Sequence, residues 1–153
     1  MLKIVLVEPQ IPQNTGSTAR LAAATNSELY LIEPLGFSLA DKYLKRAGLD
    51  YWPHVKLKVC KNWESFLVES GAKEDQLWFF TTKAENSFYD APYKEGDFLV
   101  FGGESSGLPK NIHEKYETRR LKIPIDCDAV RSLNLASSVT AAYYVARKTL
   151  QQK

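Results

Sequence analysis

The sequence predicts an α/β fold in which a parallel sheet is covered by helices on both faces. Three observations predict it. Six short apolar, strand-like runs recur along the chain, helical stretches fall between them, and helix-ending signals mark the boundaries. No internal repeat, low-complexity tract or linker interrupts the pattern. The 153 residues suit one domain, 1–153, with a real core.

Taken in order, the first run is Leu2–Val7, followed by a loop and a helix over Thr15–Thr25 with Asn14 as its expected N-cap. Leu29–Glu33 is the second strand. A short helix over Ala40–Ala47 stops at Gly48, a good C-cap. Val55–Val59 is a strand, and the helix Trp63–Ser70 ends at Gly71. Leu77–Thr81, Phe98–Phe101 and Arg120–Ile123 complete the strands. The last helix runs from about Leu135 to Leu150 and puts Leu135, Val139, Ala142, Ala146 and Leu150 on one face at helical spacing.

Composition narrows the class. With 44% hydrophobic and 25% charged residues the chain reads as a soluble globular protein. No apolar run reaches the roughly 18 residues a membrane span needs, so no membrane partner is expected. The apolar start meets Glu8-Pro9 without a small-residue cleavage site and reads as a first strand, not a signal peptide. Cys60 and Cys127 match no metal spacing and read as reduced thiols of a cytoplasmic protein. The net charge of +2 does not announce a nucleic-acid binder, but its distribution is uneven. Asp41 to Lys61 carries six basic residues against two acids, while Asn62 to Glu104 carries nine acids against three lysines. A local basic patch can neutralise phosphates at low net charge; a merely solvated surface fits as well.

In open parallel sheets, ligands bind at the carboxyl ends of strands. Three loops at strand ends are unusual. "EPQIPQNTGSTAR" opens a helix whose free N–H groups can hold a polar ligand, with Arg20 on its first turns. "VFGGESSGLP" brings three glycines to the end of a strand. It is not a P-loop, because Leu108-Pro109 stands where Lys and Ser or Thr are required, and its spacing is not G-x-G-x-x-G. "IPIDCDAVRSLNLASS" puts Arg131-Ser132-Leu133-Asn134 just before the last helix, where Ser132 or Asn134 could equally act as a cap. Taken singly, each loop also fits an ordinary role: a capped helix with Arg20 in a surface ion pair, a tight turn, a helix cap.

Together, "NTGSTAR", "LVFGGESSGLP" and "IPIDCDAVRSLNLASSV", in this order and at these strand ends, resemble the three motifs of the SPOUT superfamily of S-adenosylmethionine-dependent RNA methyltransferases. "IVLVEPQIPQNTGSTARLAAATNSELYLIEPLGF" and "DKYLKRAGLDYW" narrow the resemblance to its TrmH-like class of small, single-domain tRNA 2′-O-methyltransferases acting on the wobble cytidine or uridine, position 34, of leucine tRNAs. The resemblance implies a C-terminal deep trefoil knot whose loops form the cofactor site. It implies S-adenosylmethionine as cofactor, S-adenosylhomocysteine as product, and no metal, since the donor already carries the activated group. Cofactor contacts would fall on Phe80, Thr81, Gly102, Gly103, Ile123, Ser132 and Leu133. Asn14, Arg20, Glu104, Ser132 and Asn134 would face the reaction centre.

The resemblance also implies that Arg20 assists loss of the 2′-hydroxyl proton. An arginine seldom gives up its own proton, so a charged guanidinium fits better as a stabiliser of the developing alkoxide or as a phosphate clamp. The tRNA anticodon stem-loop is the expected partner. Lys42, Lys45 and Arg46 would meet its phosphates, and Tyr51 and Trp52 would stack on its bases or else pack in the core or a subunit interface. The family implies a homodimer with the first and last helices at the interface. Two other readings stay open: a 2′-O-methyltransferase for another tRNA position or ribosomal RNA, and a non-catalytic, cofactor-binding RNA assembly factor.

Overall fold

The computed structural model describes residues 1–42, 44, 46 and 51–151. Its strands are β1 (Lys3–Val7), β2 (Glu28–Ile32), β3 (Lys56–Cys60), β4 (Leu77–Phe80), β5 (Asn86–Ser87), β6 (Phe98–Phe101) and β7 (Arg120–Lys122). They form a seven-stranded sheet in the order β3-β2-β1-β6-β4-β7-β5, and every pairing is parallel. The helices whose bounds fall within the described residues are α1 (Pro12–Ala24), α2 (Trp63–Ser70), α3 (Lys110–Lys115) and α4 (Leu135–Gln151).

The period-2 alternation of the strands sorts the core into two layers. Ile4, Leu6, Leu29, Leu31, Trp78, Phe80, Leu99 and Phe101 face α1 and α4. Val5, Val7, Tyr30, Ile32, Leu77, Phe79, Phe98 and Val100 face α2 and α3. Both faces are therefore covered, as expected for central parallel strands. The predicted face of the last helix holds: Val139, Ala142 and Ala146 are fully buried. Tyr143 joins them, and its hydroxyl bonds Ser27 Oγ at 2.7 Å.

Local signals explain most boundaries. Asn62 caps α2 by accepting the Ser65 N–H at 2.8 Å, and Gly71 ends it at φ 68°. The N-cap expected at Asn14 is corrected. Pro12 starts α1 one turn earlier, with Ile11 at the cap position and no side-chain cap of its own. Asn14 is buried inside the first turn, which frees its amide for longer-range bonds. The predicted helix over 40–47 lies partly outside the described residues; residues 42, 44 and 46 are helical, and Leu44 is buried. The two-residue β5 and the six-residue α3 carried no sequence pattern.

Two buried titratable groups lie outside the three unusual loops. The Cys60 thiol is pushed up to about 12, by burial first and then by Glu69, so it is inert. Asp97 is 1% exposed; one of its oxygens accepts both the Trp78 indole N–H and the Lys94 N–H, each at 2.8 Å. Burial raises its pKa from the ordinary aspartate value, against the lowering effect of those two hydrogen bonds. The folded state therefore holds this proton to higher pH than the unfolded chain does. The resulting stability is fully present below the unfolded value and is lost as pH rises through the folded one. Asp97→Asn keeps the acceptor for Trp78 and removes the titration. Urea unfolding across the acid range up to neutrality should show a variant that gains on the parent as pH rises; parallel curves would contradict the assignment.

Candidate active site

A cavity of about 1060 Å³ opens at the carboxyl ends of β1, β6, β4 and β7. It lies beside the switch point: β2 and β3 continue the sheet on one side of β1, and β6, β4, β7 and β5 on the other. All three loops singled out in the sequence reach it, through Glu8, Ile11 and Asn14, through Gly102 to Pro109, and through Arg131 to Asn134.

The expected cofactor residues all line this cavity: Phe80, Thr81, Gly102, Gly103, Ile123, Ser132 and Leu133. Phe80 stacks on Phe101, with centroids 4.6 Å apart and planes 11° apart, and gives the cavity an apolar floor. The Thr81 N–H donates to Leu121 O at 3.0 Å and ties the end of β4 to β7. Leu133, also in the lining, is 43% exposed. Ser132 is exposed.

The glycines answer to the protein's own packing. A Cβ on Gly102 would overlap the backbone of Gly107 and Leu108, and one on Gly103 would sit 2.7 Å from Glu8 O. Gly103 and Gly107 close a hairpin through two backbone bonds of 3.2 and 2.9 Å, with Gly107 at φ 67°. The turn has to be bare because strand end, hairpin and first loop meet there.

Glu104, Asn14 and Asn134 form one polar chain across the three loops. Glu104 accepts the Gln10 N–H at 2.7 Å, the Ile11 N–H at 2.8 Å and the Asn14 amide at 3.1 Å. Asn14 Oδ1 in turn accepts from the Asn134 amide at 3.0 Å, while Asn134 Oδ1 accepts the Ser137 N–H at 3.1 Å and so caps α4. Glu104 thus supplies from 90 residues downstream the acceptors that the segment leading into α1 lacks. Three of the five polar groups expected at the reaction centre are engaged in holding the loops together.

Arg20 stands apart from that cluster. It is exposed on the outer side of α1 and is not among the cavity's lining residues. Its guanidinium carbon lies 5.7 Å from the centre of the Tyr51 ring. Tyr51 donates its hydroxyl to Gly16 O at 2.9 Å, and with Trp52 it packs, half-buried, against the α1 side of the core. Of the expected RNA contacts, Lys42 and Arg46 are exposed on helical backbone, and Lys45 lies outside the described residues.

The structure adds residues that sequence reasoning left without a role. His113, on the cavity rim, has its ring nitrogen Nδ1 2.7 Å from an Arg120 guanidinium nitrogen. Burial, then Arg120 and Lys83, lower its pKa, which favours a neutral ring accepting from the guanidinium. Gln10 binds the hairpin at Ser105. Neither stood out, because an exposed loop Gln and an isolated His have no pattern to detect. Among the described residues there is no cluster of His, Cys, Asp and Glu able to hold a metal ion, and no helix long and apolar enough to cross a membrane.

Known proteins match this arrangement. A Burkholderia cenocepacia protein named tRNA (cytidine(34)-2'-O)-methyltransferase is 40% identical over 147 residues, covering 95% of this chain and 94% of its own. A solved structure concerned with 2-OH methylation of C/U34 on tRNA superposes with a TM-score of 0.92 at 46% identity, over 100% of this chain and 98% of that one. The methyltransferase AviRb of Streptomyces viridochromogenes, solved with AdoMet, shares the fold at a TM-score of 0.85 and 21% identity, over 97% of this chain and 60% of its own. The profile of the SpoU rRNA Methylase family matches residues 1–144, from β1 through most of α4 and across all three cavity loops. On that match, the chain belongs to the SpoU methylase family.

Proposed function

We propose that this protein transfers a methyl group from S-adenosylmethionine to the ribose 2′-hydroxyl of nucleotide 34 of tRNA, with leucine tRNAs as its substrates. The observation that carries the reading is the convergence of the three loops on one cavity at the strand ends, in a chain whose relatives bear that activity in their names.

The cavity fits the cofactor. The Phe80–Phe101 stack and the walls at Ile123 and Leu133 suit an adenine, and the hairpin offers main-chain polar groups in place of a phosphate loop. Phe80, Thr81, Gly102, Gly103, Ile123, Ser132 and Leu133 would hold it. Bound there, S-adenosylmethionine supplies an electrophilic methyl group on a sulfonium. Asn14, Glu104 and Asn134 keep the three loops in register, so that the ribose oxygen is aligned and not free to wander. Ser132, exposed at the mouth, is a donor and acceptor for the sugar. The Arg20 guanidinium steadies the oxygen as it becomes an alkoxide and holds the adjacent phosphate, leaving a water or that phosphate to take the proton.

Because Arg20 lies outside the lining of its own cavity, this reading needs a second copy. A symmetric dimer through α1 and α4 would carry Arg20 toward the partner's cavity, and the half-exposed Ile11, Tyr144 and Val130 offer apolar surface for it. The segment from Ile123 to Asn134 returns the chain from β7 to α4, which packs on α1 and β6; we read this crossing as the C-terminal trefoil knot. Two unpaired cysteines suit a cytoplasmic protein.

The test is methylation of total tRNA with labelled cofactor, followed by mapping of the modified nucleotide. Label at position 34 supports the reading, and label at another tRNA position or in ribosomal RNA replaces it. Calorimetric binding of S-adenosylhomocysteine without any transfer would indicate an assembly factor, and preference for ATP would overturn the cofactor.

The basic segment carries its own prediction. Replacing Lys45 and Arg46 by Glu should weaken tRNA binding and flatten the dependence of log K on log salt by about 0.7–0.9 for each phosphate no longer neutralised. A filter-binding salt titration reads both. An unaltered slope would make the segment a solvated surface.

A further inference from the structure

We infer that Gln10 is a positioning residue whose side-chain oxygen latches the Gly103–Gly107 hairpin over the cavity and so sets how tightly the adenosyl ligand is held. This rests on the cofactor reading given above.

Gln10 holds two consecutive residues of the hairpin. Its backbone N–H donates to Glu104 Oε1 at 2.7 Å. Its side-chain Oε1 accepts from both donors of Ser105, the N–H at 2.9 Å and the hydroxyl at 2.9 Å. Ser105 lines the cavity and Gln10 does not, so Gln10 acts on the ligand only through the hairpin.

The latch is anchored from behind. Gly36 N–H donates to Pro9 O at 2.9 Å, and a Cβ on Gly36 would sit 2.7 Å from both the Cα and the carbonyl oxygen of Gln10. The turn after β2 therefore presses on the Gln10 backbone and fixes the point from which the side chain reaches Ser105. Glu104 ties the first arm of the hairpin to the segment before α1, but the tip beyond it is exposed at Ser105, Ser106 and Gly107, and the hairpin's backbone closure is the two Gly103–Gly107 bonds. Without Oε1 the base of the hairpin survives and its tip is released. Ordering that tip is then a cost met at each binding event, which weakens affinity without touching the reacting groups.

The experiment combines calorimetry with S-adenosylhomocysteine and amide hydrogen exchange at Ser105 in the ligand-free protein. Gln10→Ala should weaken binding about tenfold and lower Ser105 protection by a similar factor. Its melting temperature should stay near the parent's, because the side chain is exposed. Gln10→Glu keeps an acceptor oxygen and should restore most of both. Gln10→Ala combined with Ser105→Ala should bind no worse than Gln10→Ala alone, since the two share one contact. In turnover, Gln10→Ala should raise KM for the cofactor and leave kcat near the parent's. Parent-like binding by Gln10→Ala, or Gln10→Glu as weak as Gln10→Ala, overturns the proposal. Unchanged Ser105 exchange overturns it even if the parent fails to bind S-adenosylhomocysteine, and that failure would itself count against the cofactor reading.

Discussion

Arg20→Ala should leave S-adenosylhomocysteine binding within about twofold of the parent and lower methyl transfer to tRNA by about 10²–10³-fold, the range seen when one group stabilising a developing oxyanion is removed. The binding half follows from position: Arg20 is exposed, outside the cavity lining, with its guanidinium over the Tyr51 ring. The transfer half follows from chemistry. A ribose hydroxyl becoming an alkoxide needs a fixed positive charge more than it needs a strong base, and Arg20 on α1 is the cation that the proposed dimer would bring to the sugar. Arg20→Lys should recover only part of the loss, because an ammonium keeps the charge but not the planar fork. Calorimetry and single-turnover methylation separate the two effects. Full turnover in Arg20→Ala would remove Arg20 from the mechanism; lost cofactor binding would place it in the cofactor site instead.

Legibility in the sequence followed the range of the forces involved. Strands and helices set by local period and caps were readable: Phe98–Phe101 matched to the residue, and the Gly71 signal closed α2. Asn14 was misread because two local rules competed. A good cap residue stood two positions after a proline that starts helices, and the proline won. What Asn14 does depends on Glu104 and Asn134, 90 and 120 residues away, and no local pattern encodes partners at that distance. The cavity residues were legible only through motif resemblance. Composition alone gave +2 and no site. Tyr51 shows the remaining gap: beside three cations it read as a base-stacking ring or as packing, and the structure turns its hydroxyl to Gly16 O and sets its ring beneath Arg20.

Gly102→Ala should abolish measurable S-adenosylhomocysteine binding and destabilise the protein by about 2–3 kcal/mol, the upper part of the usual overpacking range. The added methyl meets backbone, namely Gly107 and Leu108, and backbone cannot swing aside as a lysine tip could. Relief requires the far arm of the hairpin to move. That motion breaks the paired bonds between Gly103 and Gly107 and carries Ser105 and Ser106 away from the cavity. Gly71→Ala is the matched comparison. Gly71 stands at φ 68° with nothing within 4 Å of an added Cβ, so the substitution costs only left-handed backbone strain, about 1 kcal/mol, at the end of α2 on the other layer. It should leave cofactor binding unchanged. Thermal unfolding and calorimetry on both variants distinguish a glycine kept for space at the site from one kept for conformation outside it. Equal binding by Gly102→Ala and the parent would mean that the hairpin can shift without closing the cavity, and the glycine-rich loop would then be a turn with no part in holding the cofactor.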